Sequence, residues 1–198
     1  TGSPTASVTN SINISCFGGS NGSFTVTPVG GTGPLYTYTL TSPLQTNGTG
    51  QFSGLPQGTY NITVKDQVGC ITTTSVTLTQ PTALTLTVTP IAALCNGTAS
   101  GTINIIGAGG TPTYSYNLNG GAYQASSTFA NQFAAIYSMG IRDANGCTAT
   151  QTVQVTQPAA LTLNVSSQNA NCTAANGVAT TTVGGGTGVI TYTWTGGG

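Results

Sequence analysis

The chain of 198 residues offers very few side chains that could do chemistry. It contains two basic residues, two acidic residues and no histidine. All four charges occur in two copies of one motif, Lys65-Asp66-Gln67-Val68-Gly69-Cys70 and Arg142-Asp143-Ala144-Asn145-Gly146-Cys147. Without histidine there is no imidazole base, no serine-histidine-aspartate triad and no histidine-ligated zinc. We therefore predict that the protein is not an enzyme, with no catalytic residue and no cofactor.

The two aspartates, Asp66 and Asp143, allow two interpretations. A functional one is a metal-binding or catalytic carboxylate. However, the two residues lie a whole repeat apart, and one carboxylate per repeat is far short of a calcium cage. The structural one is a turn in which the aspartate accepts backbone N–H groups two residues on, while Gly69 and Gly146 supply the left-handed conformation. We favour the structural turn and predict no metal site.

The scarcity of charge limits the partners. Two basic residues cannot neutralise a phosphate backbone, so we exclude nucleic acid. No apolar run approaches the ~18 residues needed to cross a bilayer, so we expect no direct membrane insertion. Hydrophobic residues still make up 37% of the chain, which favours a folded protein. The opening Thr-Gly-Ser-Pro stretch resembles a linker and not a signal peptide, which suggests a mature or internal fragment of a longer protein.

An internal repeat of about 77 residues organises the sequence. Gly-Gly-Thr recurs at residues 30–32, 109–111 and 185–187, each time shortly before a strand-like segment. Gln80-Pro81 recurs as Gln157-Pro158, and Cys70 recurs as Cys147. Cys16, Cys95 and Cys172 form a further series. We predict module 1 at residues 1–80, module 2 at 81–157 and an incomplete module 3 at 158–198.

Apolar and polar residues alternate within each module. Examples are Phe24 and Val26 among threonines, and the Tyr60, Ile62 and Val64 series. This period of two predicts half-buried strands with threonine on the solvated face. No segment shows a helical period. Six or seven short strands per module predict an all-β fold of tandem antiparallel β-sandwiches, similar to immunoglobulin or fibronectin modules.

The cysteines fit such modules, with one after the first strand and one at the start of the last strand. We expect one disulfide in each complete module, Cys16–Cys70 and Cys95–Cys147, and no partner for Cys172 within the chain. The loop-entropy model gives ~4 kcal/mol for closing such a loop. The alternative is five unpaired thiols in a reducing cytosol. Cysteines placed at both ends of a β module favour disulfides and an extracellular or cell-surface location.

The combined motifs resemble the SprB-type repeat of Bacteroidetes cell-surface proteins. They include Cys16-Phe17-Gly18, Gly30-Gly31-Thr32, Gly54-Leu55-Pro56-Gln57-Gly58-Thr59-Tyr60, Asp66 to Cys70 and Thr79-Gln80-Pro81. Module 2 departs from this pattern at residues 131–137, where the Leu-Pro-x-Gly segment is replaced. The resemblance implies long surface adhesins, some carried along the cell during gliding and exported by the type IX secretion system. It implies no catalytic residues.

The leading hypothesis is a non-catalytic structural repeat region of an extracellular adhesin, stalk or filament. Its expected partners are neighbouring modules or copies of the same chain, since length comes from repetition. The alternative is a carbohydrate-binding module of a secreted protein, with surface glycans as partners. That alternative needs exposed aromatic side chains, and the candidates are Tyr123, Phe129 and Trp194.

Overall fold

The computed structural model describes residues 2–195, and every regular element in that range is a β-strand. The fifteen strands are β1 Thr5–Ile12, β2 Gly22–Val29, β3 Thr37–Thr41, β4 Leu44–Asn47, β5 Gln51–Leu55, β6 Gly58–Lys65, β7 Ile71–Leu78, β8 Thr85–Ile91, β9 Gly101–Ala108, β10 Ser115–Leu118, β11 Thr128–Gln132, β12 Ala135–Arg142, β13 Thr148–Val155, β14 Thr162–Gln168 and β15 Val178–Gly184. The prediction of an all-β chain is confirmed.

Contacts divide the chain into two compact units. Unit 1 comprises residues 1–85, 107–114 and 142–149. Unit 2 comprises residues 86–106, 115–141 and 150–198. Three segments of predicted module 2, residues 81–85, 107–114 and 142–149, thus belong to unit 1, so the units do not follow the repeat period. The module boundaries stay a prediction from the repeat.

Unit 1 contains two antiparallel sheets, with strand orders β1-β2-β5 and β4-β3-β6-β7. The longest pairing joins β6 to β7, from Gly58 opposite Leu78 to Lys65 opposite Ile71. In the other sheet, β1 and β2 pair from Thr5 opposite Val29 to Ile12 opposite Ser23, with one irregularity after Thr9. These pairings confirm the antiparallel expectation.

The two sheets of unit 1 enclose one hydrophobic core. It consists of Ile14, Phe24, Val26, Tyr38, Leu40, Phe52, Leu55, Tyr60, Ile62, Val64 and Leu78. The ring of Phe24 lies at its centre, 5.2 Å from that of Phe52 and 6.0 Å from that of Tyr60, measured between centroids. Full burial of each large apolar side chain contributes about 1.5–3 kcal/mol. The core therefore accounts for the alternation seen in the sequence.

Threonine hydroxyls form rows on the solvated faces of the strands. The hydroxyls of Thr59 and Thr77 lie 3.0 Å apart across β6 and β7. Those of Thr9 and Thr27 lie 3.3 Å apart across β1 and β2. A β-branched side chain suits the pleated surface while its hydroxyl bonds to neighbours or water.

Unit 2 contains three sheets, with strand orders β11-β9-β8, β10-β12-β13 and β14-β15. The pairs β11-β9 and β14-β15 are antiparallel. Among its buried apolar residues are Ile103 and Ile105 on β9, Met139 and Ile141 on β12, and Val155 on β13. In the β14-β15 pair the apolar side chains face solvent, with Leu163 61% and Val165 59% exposed.

Candidate functional site: the carboxylate turns and the disulfide

Asp66 and Asp143 occupy equivalent turns at the ends of β6 and β12. The Oδ1 atom of Asp66 accepts the backbone N–H groups of Val68 at 3.1 Å and Cys70 at 2.8 Å. The Oδ1 atom of Asp143 does the same for Asn145 at 3.0 Å and Cys147 at 2.9 Å. Each carboxylate thus organises a turn that ends at a cysteine.

The glycine of this turn takes a left-handed conformation in both copies. Gly69 has a φ of 98° and Gly146 a φ of 84°. The backbone N–H of Gly69 donates to the carbonyl of Asp66 at 3.2 Å, and that of Gly146 donates to the carbonyl of Asp143 at 3.1 Å. A side chain there would be strained, which explains glycine at the residue before each cysteine.

The other carboxylate oxygen of each aspartate holds the Gly-Gly-Thr loop. The Thr32 N–H donates to Asp66 Oδ2 at 2.9 Å, and the Thr111 N–H donates to Asp143 Oδ2 at 2.8 Å. The contact between these two motifs was not predicted from the sequence. A signal was available, since each complete repeat contains one Gly-Gly-Thr motif and one aspartate.

The approach of this loop requires glycine. A Cβ atom built on Gly110 would lie 2.5 Å from Asp143 Oδ2, and one on Gly31 would lie 3.1 Å from Asp66 Oδ2. The φ angles of these residues are 57° and 80°, in the region that side chains disfavour. A tyrosine then ties the loop down, because the Tyr114 hydroxyl donates to the Gly109 carbonyl at 2.7 Å, as the Tyr36 hydroxyl does to Gly30.

These hydrogen bonds set the protonation of Asp66. Donation by the Thr32 backbone N–H lowers the pKa of Asp66 below its ordinary value of 3.8. Burial acts in the opposite direction, and the backbone N–H groups of Cys70, Val68 and Gly69 lower the pKa further. The carboxylate is therefore fully ionised at neutral pH and works as a hydrogen-bond acceptor.

The predicted disulfides, Cys16–Cys70 and Cys95–Cys147, are wrong. The structure instead bonds Cys16 to Cys147, with a Cα–Cα distance of 5.7 Å and a sequence separation of 131 residues. Cys70, Cys95 and Cys172 are unpaired and exposed. Both bonded cysteines lie within unit 1, although they come from predicted modules 1 and 2.

Strand direction explains why the predicted pairs cannot form. Cys16 follows β1 beside the end of β7, where the Ile14 N–H donates to the Thr79 carbonyl at 3.0 Å. Cys70 precedes β7 at its other end. The eight residues of β7 at about 3.3 Å each place the two cysteines ~25 Å apart. A disulfide needs Cα atoms within about 7 Å.

The same argument separates Cys95 from Cys147. The Ala93 N–H donates to the Thr156 carbonyl at 2.8 Å, so the loop containing Cys95 lies beside the end of β13. Cys147 lies directly before the beginning of β13, eight residues away along the strand. The cysteine after the first strand therefore sits where its module ends, next to the sequence that begins the following module.

The surroundings of the disulfide form a joint, defined here as the first joint: residues 13–19, 79–84, 109–111 and 143–147, all in unit 1. The Gly18 N–H donates to the side-chain oxygen of Gln80 at 2.8 Å. The side-chain amide of Asn145 donates to the Ser15 carbonyl at 3.0 Å and lies 2.9 Å from the Thr111 hydroxyl. The bond is thus embedded in a polar network that fixes both of its flanking loops.

The aromatic candidates for carbohydrate binding differ in their exposure to solvent. Tyr123 is half-buried between β10 and β11, and Phe129 is half-buried on β11. Trp194 is 60% exposed after β15. Within the described range, no group of three or more His, Cys, Asp or Glu side chains is placed to hold a metal ion. The same residues include no helix of the length and apolar character needed to span a bilayer.

These features describe an all-β protein with one disulfide and two equivalent carboxylate turns. The family model of the SprB repeat matches residues 6–45 and residues 85–123. These two stretches are thus similar to the SprB repeat, and the resemblance drawn from the motifs is confirmed there. No curated protein sequence matches the chain.

Among solved structures, the chain is similar to the C-terminal 282-residue fragment of intimin, crystallised in complex with the intimin-binding domain of the translocated intimin receptor. The sequence identity is 13% and the TM-score is 0.41. The alignment covers 82% of this chain and 67% of the intimin fragment.

Proposed function

We propose that the chain is a non-catalytic structural repeat region of an extracellular adhesin, stalk or filament, built from immunoglobulin-like β-sandwich modules. The observation that carries the proposal is the disulfide from Cys16 to Cys147, which ties predicted module 1 to predicted module 2. A bond within a module would stabilise that module alone. A bond from one module to the next also resists their separation.

Two further observations support the proposal. The SprB repeat model matches residues 6–45 and 85–123, one stretch in each predicted module, and the resemblance implies surface adhesins. Both acidic side chains are used to build turns, since each carboxylate accepts backbone N–H groups. A disulfide persists in oxidising compartments, which supports a location outside the cytoplasm.

A stalk must carry load, and the disulfide predicts how this one responds. The bond closes a loop of 131 residues, which spans about 450 Å when fully extended. In single-molecule stretching, the fully extended length of the oxidised chain should be shorter than that of the reduced chain by this amount. The matched control is the double variant Cys16→Ser with Cys147→Ser, whose extension should not depend on reductant.

Two results would contradict the proposal. Equal extension of the oxidised and reduced chains would show that the bond does not carry load. Antibodies against the chain that label cells only after permeabilisation would place the protein inside the cell. Labelling of intact cells is the expected result.

A further inference from the structure

We propose that the bond at the first joint is one of a series, in which the cysteine after the first strand of each repeat bonds to the Asp-x-x-Gly-Cys cysteine of the next. By this rule Cys95 takes a cysteine from a following repeat, and Cys70 takes one from a preceding repeat. The partner in each case is another repeat of the same kind. The inference rests on the proposed function only in taking such repeats to occur in series.

The first argument is that Cys95 sits in a second joint with the same geometry as the first. The second joint is defined by residues 92–98, 156–161 and 185–191, all in unit 2. The Gly97 N–H donates to the side-chain oxygen of Gln157 at 2.8 Å, matching Gly18 and Gln80 at 2.8 Å. The loop that carries Cys95 is therefore held by the same contact as the loop that carries Cys16.

The start of the next module is also placed in the same way in both joints. The Gly110 N–H donates to the Thr82 carbonyl at 2.9 Å in the first joint. The Gly186 N–H donates to the Ala159 carbonyl at 3.0 Å in the second. The Gly-Gly-Thr loop, which holds the carboxylate turn in the first two modules, thus has its usual position relative to the chain entering module 3.

The side of the second joint next to Cys95 is open. A cleft of about 460 Å³ lies between the loop of Cys95 and the segments 158–161 and 186–191. In the first joint, Cys147 is bonded to Cys16 and lines one cleft together with the corresponding residues Ala83 and Leu84. The cleft is therefore bounded by the same parts of the repeat that receive the carboxylate turn in the first joint.

The residues beside the unpaired cysteines are apolar and exposed. Leu94, beside Cys95, is 73% exposed, and Val68, in the turn of Cys70, is 64% exposed. The equivalent positions in the first joint are Ser15 and Asn145, which bond to each other at 3.0 Å. A joint between a Leu94-type and a Val68-type position would bury an apolar pair where the first joint makes a hydrogen bond.

The turn of Cys70 is already in the geometry that Cys147 has when bonded. The Cys70 N–H donates to Asp66 at 2.8 Å, as the Cys147 N–H donates to Asp143 at 2.9 Å. Cys70 is thus held on a turn that is fixed without a bond, which lowers the entropic cost of forming one.

Forming each bond is a two-electron oxidation. The two thiols lose their S–H hydrogens, and one S–S bond forms between them. The two protons and two electrons pass to a disulfide oxidant, such as a thiol–disulfide oxidoreductase or oxidised glutathione, whose own S–S bond is converted to two thiols.

The test lengthens the chain by a copy of its own residues 123–157 placed after Gly198, which completes module 3 with a copy of Cys147. The protein is refolded with oxidised glutathione, alkylated and digested with pepsin at acid pH. Trypsin would be uninformative because the chain has two basic residues, and acid suppresses thiol exchange. We expect the peptide of Cys95 to be linked to the copied cysteine, with the Cys16–Cys147 bond unchanged.

Two controls isolate the new bond. When the copied cysteine is replaced by serine, Cys95 should be alkylated. When Cys95 is replaced by serine, the copied cysteine should be alkylated. Before alkylation, the oxidised lengthened chain should be about 4 Da lighter than the same chain after reduction, since two disulfides have formed, whereas its serine control should differ by about 2 Da.

A second variant tests Cys70 and covers the case in which the added segment does not fold. A copy of residues 81–157 placed directly before Pro4 supplies a complete preceding repeat, and its copy of Cys95 should bond to Cys70. Alkylation of Cys70 and Cys95 in lengthened chains that keep the Cys16–Cys147 bond would overturn the inference. So would a Cys70–Cys95 bond. The proposed function would survive either result, because it rests on the bond already present.

Discussion

The turn at Asp66 and the turn at Asp143 are made by the same hydrogen bonds, yet their cysteines differ. In both, one carboxylate oxygen holds the turn and the other holds the Gly-Gly-Thr loop. Cys147 is bonded and half-buried, whereas Cys70 is unpaired and exposed. The comparison teaches that the turn is a local structure which forms with or without the bond. What the bond adds must therefore be sought in the stability of the joint.

The largest difference in stability is expected between variants of the bonded and the unpaired cysteines. The double variant Cys16→Ser with Cys147→Ser should lower the free energy of unfolding by between about 2 and 5 kcal/mol, because a loop of 131 residues is no longer closed in the unfolded chain. Urea denaturation without reductant measures this. Cys70→Ser is the matched control and should stay within about 0.5 kcal/mol of the unaltered protein. A large effect of Cys70→Ser would break the comparison.

A smaller difference is expected at the glycines that cover the carboxylates. Gly110→Ala should cost about 3 kcal/mol, since its Cβ would lie 2.5 Å from Asp143 Oδ2 in addition to the strained φ. Gly31→Ala should cost about 1 to 2 kcal/mol, because the corresponding distance is 3.1 Å. Thermal unfolding of the two variants side by side would rank them. Equal losses would show that backbone conformation alone decides the cost.

Asn145, the residue before Gly146, should contribute less to stability. Asn145→Val removes the hydrogen bond to the Ser15 carbonyl, so we expect a loss of about 1 kcal/mol. The reciprocal change, Val68→Asn, affects an exposed side chain of the other turn and should be near neutral. Chemical denaturation resolves both. A loss from Val68→Asn as large as that from Asn145→Val would sharpen the comparison in favour of a role for Val68.

The smallest expected effect is the contribution of Asp66 to the dependence of stability on pH. Because the pKa of Asp66 is lowered by folding, its contribution is fully present above 3.8, the ordinary value, and is lost as the pH falls through the lower folded-state value. Stability should therefore be flat from neutral pH down to about pH 5 and fall only in stronger acid. Asp66→Asn should weaken the acid dependence, as followed by denaturation at pH 2–7. An unchanged acid dependence would argue against the role of Asp66.

The strands were largely predictable from the sequence. Alternation correctly identified the inward faces of β2 and β6, where Phe24, Tyr60 and Ile62 are buried. It missed β5, although Phe52 and Leu55 are both buried there. These two lie three residues apart because Gly54, with a φ of 71°, interrupts the strand pattern. A period of two cannot reveal a strand whose inward residues are separated by an irregularity.

The disulfide could not be predicted from the same pattern. Alternation shows which side of a strand is buried, and it does not show which strand ends lie together. The predicted pairs required the end of β1 to approach the start of β7, and the structure places it beside the end of β7, next to Thr79. The contact of Gly31 with Asp66 escaped for a similar reason, because motifs far apart in sequence meet only once the sheets are assembled.

The bond from Cys16 to Cys147 also changes what a protease could achieve. A single cut at any peptide bond between these two residues would leave both pieces attached through sulfur. To separate the two pieces, a reductant would have to break the disulfide as well. Without a reductant, a second cut would release only the segment between the two cuts. A protein exposed to the enzymes of its surroundings would thus remain in one piece after damage that would divide an unlinked chain.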